Sequence, residues 1–204
     1  MELVTGGAGF IGSHLVDSLV AQGKRVRVLD NFSSGREEFL SHHSDSGMVE
    51  VVRADLLDLE SVKLAMNGVE TVHHMAANPD IRLGTEVTDT DLRQGTIATY
   101  NVLESMRLAD VGMISFSSSS AVYGEAVQMP TPETYGPIKP ISLYGASKLA
   151  SEALITAWCG TFGAKAWIHR FANIVGPRGT HGVIYDFVHK LRADPTRLEV
   201  LGDG

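Results

Sequence analysis

Three features of the 204-residue sequence predict an α/β fold with a doubly wound parallel sheet. Short β-branched runs alternate with longer segments of helical period, the first run enters a glycine-rich turn that opens a helix, and the second ends in an aspartate. With 44% hydrophobic and 20% charged residues, the chain has the apolar content to bury the core of one domain.

Leu3-Val4 end the first strand, and Leu15, Val16, Leu19 and Val20 form one apolar helix face that closes at Gly23. Val26–Asp30 reads as the second strand, Val49–Val52 as the third and Val69–Met75 as the fourth. A long helix is expected from about Leu92 to Leu108, then a fifth strand around Met113–Phe116. A proline-rich loop from Met129-Pro130 to Pro140 leads into a helix from about Ser142 to Phe162 and a sixth strand at Ala164–Arg170. Leu198–Gly204 looks like a strand and the start of a turn, a place where domains seldom stop. The expected division is a dinucleotide-binding domain over residues 1–175 and the start of a substrate-binding part over 176–204.

Seventeen Lys plus Arg stand against 24 Asp plus Glu, for a net charge of −7. No basic block gathers into a stripe that tracks a phosphate backbone, so nucleic acid is not an expected partner. No apolar run is long enough for a bilayer and no leader pattern follows Met1, so no membrane association and a cytoplasmic location are expected. Cys159 sits in an apolar helical pattern and reads as a core residue. His73-His74 lie on a strand, where neighbours face opposite sides, and His42-His43 lie in a Ser-rich loop and read as solvated. No metal site is expected.

Thr5-Gly6-Gly7-Ala8-Gly9-Phe10-Ile11-Gly12 joins the first strand to the first helix. Gly6 serves the tight turn, Gly9 admits a pyrophosphate to the backbone N–H groups of Phe10 and Ile11, and Gly12 lets the helix pack on the strand. This is a Rossmann-type NAD site in its required context. Asp30, ending the second strand, accepts from the adenosine ribose and repels a 2′-phosphate, or alternatively caps the turn Asp30-Asn31-Phe32-Ser33. Arg36 nearby weakens the selection of NAD over NADP. Asn31 and Ser33 belong to the same cofactor edge. Asp55 with Leu56, after the third strand, faces the adenine, or Asp55 caps the next helix.

Tyr144-Gly145-Ala146-Ser147-Lys148 puts a phenol and an ammonium on one helix face. Bringing a tyrosine pKa from about 10 to near 7 takes roughly 4 kcal/mol. One cation at about 4 Å supplies on the order of 4 kcal/mol at an effective dielectric near 20. Ser117-Ser118-Ser119-Ser120 follow the fifth strand, at the carboxyl end of the sheet where open α/β folds bind ligands. Ser119 is read as the hydroxyl that bonds a reacting oxygen, and the other three as satisfying backbone groups. Ser119, Tyr144 and Lys148 form the candidate catalytic set.

The glycine loop, Asp30-Asn31, Phe116–Gly124, Tyr144–Lys148 and Arg170–Pro177 together resemble the extended short-chain dehydrogenase/reductase family acting on nucleotide-linked sugars. Within it the chain looks most like the UDP-glucose 4-epimerases, whose catalytic Ser or Thr stands five residues before the final glycine of that segment, as Ser119 does before Gly124. The resemblance implies tightly bound NAD held also by Tyr144, Lys148 and the Ala76-Ala77 pair, and a UDP-hexose substrate touched by Ser119, Tyr144 and Asn173. The local alternatives are a loop cap for Asn173 and tight packing for the alanines. Dehydratases and sugar-nucleotide decarboxylases of this family commonly carry a Glu where this chain has Ala121, which disfavours both. Gly95 stands where the family usually has an asparagine. The resemblance also implies about another hundred residues past Gly204, so that the present chain is a fragment or the ordered part of a longer one. It further implies a homodimer formed through the two long helices. The leading expectation is redox-neutral C4 epimerisation through a 4-keto sugar; a net oxidoreductase on a related nucleotide sugar and a non-catalytic NAD-binding protein are the alternatives.

Overall fold

The computed structural model describes residues 1–80, 83–180 and 182–200. Six strands, β1 (Glu2–Thr5), β2 (Val26–Asp30), β3 (Val49–Arg53), β4 (Thr71–His74), β5 (Met113–Ser119) and β6 (Lys165–Phe171), form one sheet in the order β3-β2-β1-β4-β5-β6. Every neighbouring pair is parallel. The order reverses between β1 and β4, so the carboxyl ends of those strands flank the crevice where such sheets hold ligands.

The helices are α1 (Phe10–Ala21), α2 (Leu59–Ala65), α3 (Leu83–Glu86), α4 (Ala98–Leu108), α5 (Leu143–Phe162) and α6 (Val183–Ala193). Alternation along the strands splits the core between the two faces. Leu3, Leu29, Val72, Ile114 and Phe116 pack with Val62, Val102, Leu103, Met106 and Ile155 on one side. Val4, Val26 and Val28 pack with Val16, Leu19 and Leu40 on the other. Cys159 is half-buried and packs against the edge of the first cluster rather than within it. Gly23, at φ +76°, ends the turn after α1, and Gly163, at φ +75°, closes α5 in the left-handed region.

The sequence reading made one helix of 92–108; its first part, Leu92–Ile97, is a π-helical turn that runs into α4. α3 and α6 were not read from the sequence, and the helix expected after Asp55, α2, was given no bounds. Leu198–Val200 form no strand, and the rest of that expected element, 201–204, lies outside the described residues. The chain forms two compact units that meet between Ala172 and Asn173. All of the sheet belongs to the first unit; α6 belongs to the second.

Candidate active site

Gly6, Gly9 and Gly12 each have a different reason. Gly6 has φ +67°, and a Cβ there would lie 2.7 Å from the backbone of Ala76. A Cβ on Gly12 would lie 2.1 Å from the Gly6 carbonyl oxygen, so no side chain fits between helix and turn. On Gly9 it would meet only that oxygen, at 3.3 Å, which leaves the outer side of the turn clear. Gly9 is the N-cap of α1, and among the described residues no side chain caps that end and no acid stands in its first turn. The uncapped N–H groups at Phe10 and Ile11 and the clear face of Gly9 fit a pyrophosphate.

Asp30 is buried, and its Oδ2 accepts from the Ala8 amide at 2.9 Å and its Oδ1 from the Phe32 amide at 2.8 Å. It therefore caps the turn and also ties the glycine loop to β2. Each carboxylate oxygen keeps a second lone pair for a ribose hydroxyl. Asn31 accepts from the Ser33 amide and donates to Asp55 Oδ2 at 2.9 Å. Asp55 Oδ1 accepts from the Leu57 amide; the N-cap of α2 is Asp58, so the helix-cap reading of Asp55 is corrected. The Leu56 side chain is in the core and its carbonyl accepts from Asn101. Arg36 is paired with Glu38. Ala76 donates its amide to Thr5 Oγ1 at 3.3 Å, beside half-buried Ala77.

The Ser-Tyr-Lys set is built where β5 meets α5. Ser142 caps α5 by accepting from the Gly145 amide at 3.0 Å. A Cβ on Gly145 would sit 2.6 Å from the Ala121 carbonyl oxygen, so the glycine lets the first turn of α5 press against the short turn Ser120–Tyr123. That contact brings Tyr144 beside Ser119, whose hydroxyl favours the phenolate. Ser119 Oγ also accepts from the Ala121 amide at 3.1 Å. Lys148 is buried, its Nζ donating to the Ser117 carbonyl at 2.6 Å and lying 5.8 Å from the centre of the Tyr144 ring. Burial lowers the Lys148 ammonium to about 8, with Asp91 and Glu152 opposing. The expected depression of the Tyr144 phenol is corrected: burial raises it, against the effect of the Ser119 hydroxyl, and Asp91 adds to the rise. Ser117 has the backbone part assigned to it, donating to the His74 carbonyl at 3.2 Å; Ser118 is corrected, since it donates to the Glu152 carboxylate at 2.5 Å.

Glu152 and Asp91 were not singled out in the sequence, and Arg170 and His74 were given no part in the site. Glu152, one turn beyond Lys148 on the same face, takes two guanidinium nitrogens of Arg170, at 2.8 Å and 3.0 Å, besides the Ser118 hydroxyl. Arg170 also donates to the Tyr123 hydroxyl at 3.0 Å, and its pKa is raised above the usual guanidinium range, chiefly by Glu152. Asp91 is buried and accepts from Asn78 at 3.0 Å. His74 is buried between Thr5 Oγ1 at 2.7 Å and Thr99 Oγ1 at 3.1 Å, and burial followed by the Lys148 charge holds it neutral, near 3. The spacing of Glu152 from Lys148 was a usable signal; Asp91 had none without the π-helical turn. Gly95 acquires a reason: a Cβ would lie 2.7 Å from Ser147 Oγ. Asn173 follows β6 at the start of the second unit, exposed.

His42 and His43 form a short 3₁₀ turn with Ser41, and His43 is buried, which corrects its reading as solvated. Among the described residues no helix is long and apolar enough to cross a membrane.

The sequence model described as the NAD dependent epimerase/dehydratase family matches residues 2–204. A putative UDP-glucose 4-epimerase of Methanocaldococcus jannaschii is 38% identical over 100% of this chain and 67% of its own. A crystal structure of a UDP-galactose 4-epimerase matches with TM-score 0.86 at 48% identity, over 95% of this chain and 63% of that one. The Thermotoga maritima UDP-glucose 4-epimerase, solved with UDP-glucose, matches with TM-score 0.90 at 34% identity, over 100% and 66%. The likeness extends to other reactions. UDP-glucuronic acid decarboxylase 4 of Arabidopsis thaliana is 35% identical over 99% of this chain and 46% of its own. A Streptomyces venezuelae dTDP-glucose 4,6-dehydratase double mutant, solved with NAD, matches with TM-score 0.89 at 29% identity, over 95% and 62%. The chain spans about two thirds of the length of these three epimerases.

Proposed function

The chain belongs to the NAD dependent epimerase/dehydratase family, and from that membership we propose that it is the cofactor-binding and catalytic part of a nucleotide-sugar 4-epimerase acting on UDP-glucose and UDP-galactose. The observation that carries the choice among the family's reactions is Ala121. It stands in the turn between Ser119 and Tyr144 with only a methyl group, where removal of a C5 proton would call for a carboxylate.

In this reading Gly6, Gly9, Gly12 and the amides of Phe10 and Ile11 hold the pyrophosphate of NAD, Asp30 its adenosine ribose, and Asn31, Ser33, Asp55 and Leu56 the adenine edge. Bound NAD supplies the hydride acceptor and donor at the sugar C4. Tyr144 takes the proton of the 4-hydroxyl and returns it after the 4-keto sugar has turned over. Ser119 bonds the reacting oxygen. Lys148 bonds the nicotinamide ribose and, when charged, favours the phenolate. Asn173 contacts the substrate diphosphate, and α4 and α5 supply the dimer contact, where Tyr100 and Phe162 are exposed.

The test is conversion of UDP-galactose to UDP-glucose by the purified protein without added cofactor, followed by ion-exchange chromatography. Tyr144→Phe is expected to abolish turnover while leaving NAD bound. Full activity in that variant would remove Tyr144 from the mechanism. No conversion by protein that demonstrably holds NAD would overturn the substrate assignment.

A further inference from the structure

Asp17, His42 and His43 lie apart from the Ser-Tyr-Lys set, on α1 and on the turn between β2 and β3. His42 Nε2 is 2.8 Å and His43 Nε2 2.7 Å from the same oxygen, Asp17 Oδ1. The two rings stand 4.0 Å apart, tilted by 41°. One ligand atom from each of the three residues lies within 4.8 Å of the others. Sequence neighbours on a 3₁₀ turn diverge by about a third of a rotation, so two rings converging on one oxygen is a specific arrangement.

The arrangement is also held from beneath. Val16 and Leu19, flanking Asp17, and Leu40, just before the histidine turn, belong to one hydrophobic cluster. The His43 amide donates to the Leu40 carbonyl at 2.9 Å, and the His43 carbonyl accepts from the Ser46 hydroxyl at 2.7 Å. The side chains are 11% exposed for His43, 31% for Asp17 and 47% for His42, which leaves the cluster open on the His42 side.

We propose that Asp17, His42 and His43 form a binding site for a divalent transition ion of the zinc class. Two imidazole nitrogens and one carboxylate oxygen are the donor set such ions take, with a water in the remaining position. At bond lengths of about 2.0–2.2 Å, tetrahedral ligands stand about 3.3 Å apart, so opening the present contacts by roughly half an ångström admits the ion. Without the ion, each Nε2 carries the hydrogen that the carboxylate accepts; with it, that hydrogen sits on Nδ1 and the nitrogen lone pair faces the metal. The ion staples the β2–β3 connection to α1.

The test is isothermal titration of Zn²⁺ into tag-free protein, in a buffer that does not bind metal. Expected is one saturable ion per chain. The groups that merely hydrogen-bond a metal's ligands are worth about 10- to 100-fold in metal affinity, so loss of a direct ligand weakens binding at least tenfold. His42→Ala and Asp17→Asn should each show that loss, while His169→Gln on β6 leaves the affinity unchanged. His42 is the exposed member, so its variant keeps the fold, which circular dichroism and retained NAD content verify. Substitution with Co²⁺ should give visible absorption that His42→Ala removes. Absence of stoichiometric binding, or binding indifferent to both His42→Ala and Asp17→Asn, overturns the site.

Discussion

Replacing Lys148 with methionine should stabilise the protein at neutral pH, because the fold buries this ammonium at a cost. Its pKa falls from 10.5 to about 8 through burial. At about 1.4 kcal/mol per unit, that difference is about 3 kcal/mol against the folded state while both states are protonated. The sign follows from proton binding. Below pH 8 the cost is fully present. Between pH 8 and 10.5 the folded lysine loses its proton before the unfolded one, the unfolded state binds more protons, and stability rises with pH. Methionine does not titrate, so the advantage of Lys148→Met should shrink by about 3 kcal/mol across that window. A pH-independent term offsets part of the gain, since the 2.6 Å bond to the Ser117 carbonyl is lost, a group worth about 1–3 kcal/mol when left unsatisfied. The net expectation near pH 7 is a variant up to about 2 kcal/mol more stable and without turnover in the proposed reaction. With a urea slope of roughly 2 kcal/mol/M, the midpoint moves up by as much as about 1 M. Urea unfolding of both proteins, freed of nucleotide, at steps from pH 7 to 10.5 reads the difference directly and cancels the other titrating groups. A difference flat in pH would refute the argument that Lys148 is held charged against its environment.

Three further outcomes follow from the geometry. Gly12→Ala puts a methyl group 2.1 Å from the Gly6 carbonyl, a backbone atom, so the loop must open; NAD affinity should fall by roughly 100-fold, about 3 kcal/mol, measured by equilibrium binding. Gly95→Asn, which restores the family's residue, should lower stability by about 1–3 kcal/mol through collision with Ser147, so that an unchanged melting temperature would contradict the packing. Glu152→Ala and Arg170→Met should each destabilise by about 2 kcal/mol, discounted for a guanidinium that remains 20% exposed, and the double variant should cost clearly less than the sum in a denaturation cycle.

Much of the cofactor half was legible because its constraints are local. A strand, a turn without Cβ atoms and a helix must follow one another within a dozen residues, and Gly6 and Gly12 are dictated by contacts that this short segment makes with itself and with Ala76. Tyr144 and Lys148 were legible for the same reason, one helical turn apart. What escaped depends on distant packing. The π-helical turn at Leu92–Ile97 answers to Ser147 pressing on Gly95, some fifty residues away, and leaves no mark in the hydrophobic period. α2 is short, with Val62 and Ala65 its buried residues, too few to establish a period. α6 did carry a readable pattern in Val183, Ile184, Phe187, Val188 and Leu191. The direction of the Tyr144 shift failed because a charge–charge estimate omits desolvation, which for a phenol packed between β5 and α5 is the larger effect. His43 was misread because loop composition says nothing of Leu40, whose burial draws the turn onto α1.

Charge balance around Lys148 accounts for the company it keeps. His74, the next titratable group inward, is held neutral near 3, so its ring adds no second positive charge there and serves instead as a bridge between Thr5 and Thr99. Of the two carboxylates whose fields favour the ammonium, Glu152 is already committed to Arg170 and Ser118, which neutralises much of its effect at Nζ. Asp91 is the less encumbered of the pair. One of its oxygens takes the Asn78 amide, and the other has no hydrogen-bond partner among the described residues. An unsatisfied buried acceptor costs about 1–3 kcal/mol, more when charged. That cost is sustained beside a lysine whose protonated form it supports and a phenol whose proton it helps to retain. The ground state so favoured is a protonated tyrosine above a charged lysine, ready to release a proton when substrate and cofactor change the field. The substitution that stabilises this region should therefore be the one that removes the Lys148 charge, and it should remove turnover as well.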